Sequence, residues 1–223
     1  MDIVRHIYVI GNEEREPKQI RYLKNAFLEQ GIECVTYIQP TYKNTLTDAE
    51  LARFVTFMEK HGRNIHCSEI SLFLNSLAAY EDALKKYTYG YILFLESDVI
   101  FEGNLPDYLY NLGGFLKGIN PECICIGSGC DIIHDDVNIE DMNFQIFPSK
   151  RVRCTDSLLF SIEGLRMFYD YCMSIEKLDE PIDNFFQTFL TKVNFSYYWV
   201  WPSITLQGSQ NGYYETSIQN DKI

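Results

Sequence analysis

The sequence predicts an α/β domain: a mixed sheet, Rossmann-like, flanked by helices on both sides. Three observations point there. Short β-rich apolar runs alternate with stretches of helical periodicity along the chain. The middle run, Tyr91 to Leu95, is apolar without polar alternation, as expected of a strand covered on both faces. No repeat, linker or low-complexity segment interrupts the 223 residues, so residues 1–223 are expected to form a single domain.

The elements follow in order. Ile3 to Ile10 reads as a buried strand ended by Gly11-Asn12. Pro17 to Gln30 spaces Ile20, Leu23, Phe27 and Leu28 as a helix does, and Gly31 stops it. Ile32 to Ile38 reads as a second strand. Thr47-Asp48-Ala49-Glu50 is a capping box, which predicts a helix to about Lys60 with Gly62 as its stop. A long helix is expected from about Ser68 to Tyr87, followed by the strand Tyr91 to Leu95. Leu105 to Lys117 reads as a helix and Cys123 to Ile126 as another buried strand. Gly127 to Ser149, rich in Gly, Asp and Asn, reads as a long loop or lid. Val152 to Ile162 resumes β character. Helices are expected over Gly164 to Ile175 and Ile182 to Val193, then a late strand packed by Tyr197, Tyr198, Trp199 and Trp201. From Ser203 on the chain reads as a polar tail.

The formal net charge is -12, which argues against nucleic acid as a partner, because phosphate backbones need stripes of Lys and Arg. A single nucleotide held by one cation and a few donors remains compatible. No apolar run reaches the ~18 residues that span a bilayer, so no transmembrane segment is expected. The first residues read as a strand, not a signal peptide. Seven cysteines, an odd number with no framework spacing, favour a reducing compartment and a cytoplasmic location. Cys123, Cys125 and Cys130 lack the paired knuckles of a zinc site and read as small buried hydrophobes.

The sharpest chemical feature is Glu96-Ser97-Asp98, directly after the middle strand. In open α/β sheets ligands bind at the carboxyl ends of strands. Residues i and i+2 of an extended chain point the same way, so Glu96 and Asp98 can converge on one ion. Mn²⁺ or Mg²⁺ takes a few carboxylates and fills its other positions with phosphate oxygens and water, a combination suited to a nucleotide-sugar diphosphate. The alternative is a solvated acidic turn. Asp131 to Asp136, with His134, offers a second cluster of metal-ligand types, read mainly as part of an acceptor loop or lid. Gly127-Ser128-Gly129 after a strand allows close backbone approach to a donor sugar, but lacks the rest of a dinucleotide fingerprint. His6, His61 and His66 read as ordinary core or surface residues.

The order of motifs resembles family 25 glycosyltransferases, the lipopolysaccharide and collagen type. The matching stretches are Tyr8-Val9-Ile10 with Arg15; Ser68-Glu69-Ile70-Ser71-Leu72-Phe73-Leu74-Asn75-Ser76; Glu96-Ser97-Asp98; Pro181-Ile182-Asp183; and Pro202-Ser203-Ile204-Thr205-Leu206-Gln207. They cover nearly the whole chain. The departures are Ser68 and Ser71 for glycines, Leu72 for Cys, Asn75 for Ser, Ser76 for His, and Ser97 for the middle acid. The family's substrate preference is therefore not carried over.

The resemblance implies a GT-A fold and an inverting hexosyl transfer from a nucleotide-sugar donor, UDP-linked, to a hydroxyl of a glycan or protein acceptor. It implies Asp98 as metal ligand, with Glu96 ligating directly or through an intermediary. The uridine would lie along the first strand's carboxyl end at Ile10, with Arg15 near the nucleotide or its phosphates. Glu69 would touch the donor or brace the site, and Gln207 and Ser209 would close it from the tail. Asp183 would be the general base, its alternative being a helix cap. Two other readings compete: a catalytically inactive sugar- or nucleotide-binding domain of the same fold, and a nucleotidyltransferase. The single glycine and mixed charge of Gly11 to Arg21 disfavour the latter.

Overall fold

The fold is that of a computed structural model, which describes residues 3–129, 132–141 and 143–215. The elements run in the order β1 (Val4–Ile10), α1 (Pro17–Glu29), β2 (Val35–Ile38), α2 (Asp48–Leu51), β3 (Phe57–Met58), a 3₁₀ turn (Glu59–His61), β4 (Arg63–Asn64), α3 (Cys67–Lys86), β5 (Tyr91–Glu96) and β6 (Val99–Phe101). They continue with α4 (Leu105–Ile119), β7 (Cys123–Cys125), β8 (Gln145–Pro148), β9 (Ser157–Ser161), α5 (Ile162–Ser174), α6 (Ile182–Lys192), β10 (Tyr197–Trp201) and β11 (Thr205–Gln207).

A seven-stranded mixed sheet has the order β2-β1-β5-β9-β7-β10-β8. Strands β2, β1 and β5 are parallel, and β7 and β10 are parallel to each other. β9 runs against both β5 and β7, and β8 runs against β10. Successive strand residues face opposite layers. Tyr8, Phe94, Phe160 and Tyr197 pack with α3, α5 and α6. Val9, Leu93, Leu95, Ile124, Leu159 and Val200 pack with α1 and α4. The uninterrupted apolar reading of β5 has this cause: both faces are covered. Its fully buried Leu93 and Leu95 face one layer, while Ile92 and Phe94 face the other.

Local signals place the helix ends. Pro17 stands in the first turn of α1, and Gly31 takes φ +65 just past its end. The Asn104 side chain accepts a hydrogen bond from Asp107 N (2.9 Å) to start α4. Among the described residues no helix is long and apolar enough to cross a membrane.

Five boundaries differ from expectation. The capping box at Thr47 is present, but its helix stops at Leu51 instead of reaching Lys60. The chain there is drawn into backbone pairing with the segment before α6: Val55 N donates to Leu178 O (3.0 Å) and Leu178 N to Arg53 O (2.8 Å), which buries Phe54 and Leu178. Gly62 stops the 3₁₀ turn instead (φ +63). The second strand begins at Val35, not Ile32. The strand expected from Val152 begins at Ser157; residues 152–156 are an irregular segment pinned by side chains, with Val152 N on Gln187 Oε1 (2.7 Å). The 127–149 stretch is not all loop, because Ile146 and Phe147 extend the sheet edge opposite Val200 and Trp199. The polar tail contributes β11, which pairs with β6.

Candidate functional site

β5 ends in the interior, so its last residue and the turn after it are held at the sheet's carboxyl edge. Glu96 closes the strand, Ser97 is buried, and Asp98 precedes β6. β6 leaves the main sheet and pairs antiparallel with β11, Val99 opposite Gln207. That pairing lays the next two residues over Asp98. Gly208 N donates to Asp98 O (2.8 Å), and the Ser209 hydroxyl and N–H both donate to Asp98 Oδ2, the latter at 3.3 Å. A Cβ on Gly208 would stand 2.6 Å from Asp98 O, so the approach needs glycine.

The irregular segment before β9 brings in three further groups. Asp156 O accepts from Glu96 N (2.8 Å). Thr155 Oγ1 lies 3.2 Å from Glu96 Oε1 and also bonds to Asp183 Oδ1, in the first turn of α6. One hydroxyl proton serves one carboxylate at a time, so the trio is complete when one of the two acids carries a proton. Asp156 is fully buried; its Oδ2 accepts from Ser157 (3.1 Å) and its Oδ1 is buried without a partner. Gly127 makes room for it, since a Cβ there would lie 2.2 Å from Asp156 Oδ2.

Burial raises the pKa of all four carboxyls. Burial pushes Glu96 well above the ordinary range, and the charges of Asp98, Asp183 and Asp156 add to it. Burial raises Asp98 against hydrogen bonds from Ser209. Burial raises Asp183 against Thr155. Burial, with repulsion from Asp98 and Asp183, pushes Asp156 up to about 7. Such a cluster calls for protons or a cation.

A cleft opens over Asp98 between the ends of β1 and β5 and the start of α3. Ile10, Arg15, Glu96, Asp98, Gln207 and Ser209 all line it, as do Glu16, Gln39, Tyr42 and Ser68. The Arg15 guanidinium lies 4.5 Å over the Tyr42 ring. Five lining side chains hold a buried polar atom without a partner: Arg15 Nη1, Glu16 Oε2, Gln39 Oε1, Ser68 Oγ and Asp98 Oδ1. Buried polar groups are ordinarily paired, so this concentration marks a surface built to bind. Ser71 and Asn75 hold the wall in place: the Ser71 hydroxyl and Asn75 Nδ2 donate to Thr41 O, and Thr41 N donates back to Asn75 Oδ1 (2.9 Å).

Two expected residues stand outside the cleft lining. Asp183 joins the site through Thr155. Glu69 takes a bidentate pair from Arg63 (2.6 and 2.8 Å) and a hydrogen bond from His66 N, closing the capping box of α3. Burial raises its pKa, but these partners outweigh burial and hold it below the usual range. Its charge still reaches Asp183. His134 stacks on Phe147 and meets the Trp199 edge, and its pairing with Asp136 is 3.6 Å. Cys130 and Asp131 lie outside the described residues. Cys123 and Cys125 are fully buried in β7, and burial raises both thiols, Cys125 to about 12.

Among the described residues no three His, Cys, Asp or Glu side chains are close enough to form a ready metal cage. A cation taking two protein carboxylates and completing its shell from a ligand is compatible with Glu96 and Asp98, since Asp98 Oδ1 is buried without a partner. Sequence reasoning did not find Thr155, Asp156, Glu16 or Gln39. The signal for Thr155 and Asp156 was adjacent polar residues where a buried strand should be entirely apolar.

No protein-family model and no curated protein matches the chain. Among solved structures it is similar to the glycosyltransferase GlyE in Streptococcus pneumoniae TIGR4, at 14% identity and a TM-score of 0.41, over 87% of this chain and 45% of that one. The chain thus spans less than half the length of that protein.

Proposed function

We propose that the chain is a divalent-cation-dependent glycosyltransferase of the family 25 type, moving a hexose from a UDP-sugar to a hydroxyl of a glycan or protein with inversion. One observation carries the reading. Glu96 and Asp98 line one cleft at a strand's carboxyl end together with unpartnered Arg15 and Gln39 groups, and a third carboxyl, Asp183, is tied in through Thr155. The motif order along the chain supports the same reading.

Asp98 and Glu96 would hold Mn²⁺ or Mg²⁺, which when bound supplies positive charge to a leaving diphosphate. Arg15 and Gln39 would bind the nucleotide beside Ile10. Ser209 and the Gly208 backbone hold Asp98 in orientation. Asp183 would accept the acceptor hydroxyl's proton, and Thr155 keeps that carboxyl aimed. Its raised pKa makes it a stronger base than a solvated aspartate.

Asp183→Asn separates binding from chemistry. It is expected to keep UDP affinity within about twofold and to lower transfer by at least ~100-fold, the usual contribution of a general base. Release of UDP from a panel of UDP-sugars, with and without acceptor, reads both. Full transfer by Asp183→Asn would remove Asp183 from the chemistry.

A further inference from the structure

The unpartnered polar groups do not all face the nucleotide cleft. A second set lies farther along the carboxyl edge of the sheet, past β7 and β10. Arg153 is 6% exposed, and its Nε is buried without a partner. Among the described residues its guanidinium makes one hydrogen bond, Nη1 to Ser203 Oγ (2.9 Å), and it lies 5.6 Å from the Trp199 ring centroid. Among the described residues no carboxylate pairs with it. Ser128 Oγ, in a residue 7% exposed, and Trp201 Nε1 are also buried and unpartnered.

Trp201 stands two residues from both Trp199 and Ser203, the side chains that meet Arg153. Gly129 packs so closely that a Cβ there would be 2.8 Å from Arg153 Cγ and Cys154 Cβ. Ser128 N donates to Thr205 O (2.8 Å), which ties that turn to the segment holding Ser203. Two residues beyond Arg153, Thr155 reaches Glu96 and Asp183.

A buried cation without a counter-ion is costly, and its removal from water is recovered when an anion occupies the site. Arg153 Nε–H, Trp201 Nε1–H and the Ser128 hydroxyl are all able to donate, which suits the oxygens of a carboxylate or phosphate. We infer that Arg153, Ser128 and Trp201 form an anion-binding subsite for the acceptor, so that the accepted glycan carries a carboxylate or phosphate near the hydroxyl that reacts. This rests on the glycosyltransferase reading for the word acceptor, though anion binding itself does not.

Ligand-observed NMR titration of the whole chain with methyl glucuronide, glucose 6-phosphate and methyl glucoside tests it, alongside a separate UDP titration. The expected result is that one of the two anionic sugars binds at least about tenfold more tightly than the neutral one, and names the anion. Arg153→Gln should erase that preference and leave UDP affinity unchanged; Arg153→Lys, which keeps the charge without the Nε–H, should retain part of it. Equal binding of the three sugars, or an undiminished preference in Arg153→Gln, overturns the inference. So does a loss of UDP affinity in Arg153→Gln, which would place the guanidinium on the donor. If Arg153→Gln does not fold, Ser128→Ala and the wild-type preference decide. Absence of UDP binding with the anion preference intact would sink the donor reading alone.

Discussion

At the scale of single residues, the site is governed by carboxyls that share too little water. Asp156 shows this most sharply. Its pKa rises from the ordinary 3.8 to about 7 because it is fully buried and faces other acids. A carboxyl with a higher pKa in the folded than in the unfolded chain binds its proton more tightly when folded. Its contribution therefore favours folding at low pH and is lost as pH rises from about 4 toward 7. The shift corresponds to at most about 4 kcal/mol. Thermal unfolding of the metal-free protein should show a melting temperature that declines between pH 5 and pH 7.5. Asp156→Asn should flatten that decline and melt higher than wild type at pH 7.5. An unchanged pH profile in Asp156→Asn would contradict the assigned cause. Glu96 and Asp98 were legible in the sequence because two acids follow a fully apolar strand. Asp156 was not, because adjacent polar residues mark a break in the apolar run before β9 without showing that the chain there turns to bond Glu96.

At the scale of elements, the pattern of burial carried most of the information. β1, α1, α3, β5, α4 and α6 read correctly because each has an apolar periodicity over several residues and a clear start or stop signal. The misread elements are ones whose structure is decided by a distant partner. α2 has a good cap and no buried residue, so its helix yields after one turn to backbone pairing with Leu178. β11 is three residues long and forms because β6 and the turn at Gly127 offer it partners. That short pairing matters beyond its size, since it delivers Gln207 and Ser209 to the cleft. Gly208→Ala tests it: the added Cβ would meet Asp98 O at 2.6 Å and the Tyr214 ring at 2.7 Å. Displacing the segment should cost about 1–3 kcal/mol of stability and weaken UDP binding about tenfold. Calorimetry and a UDP titration check both; wild-type affinity in Gly208→Ala would mean that β11 has no part in the site.

At the scale of the whole molecule, the sheet places both candidate sites along one edge. The β1–β5 end carries the cleft lined by Arg15, Gln39 and Asp98; the β7–β10 end carries Arg153 and Trp201; Thr155 and Asp183 stand between them. The alternation of strands and helices announced the layered fold, whereas the reaction class proposed from the motif order awaits the tests given above. Which polar groups remain without partners is a property of the folded whole, so the second patch had no sequence signature. The central claim is that Asp98 and Glu96 hold a divalent cation that joins a nucleotide diphosphate to this edge. Isothermal titration of UDP into the wild-type chain and into Asp98→Asn, each with Mn²⁺ and with EDTA, tests that most directly. The account predicts binding by wild type that requires Mn²⁺, and at least a tenfold loss (about 1.4 kcal/mol) in an Asp98→Asn protein that still melts cooperatively. UDP binding that is equally tight in EDTA, or undiminished in Asp98→Asn, would contradict it.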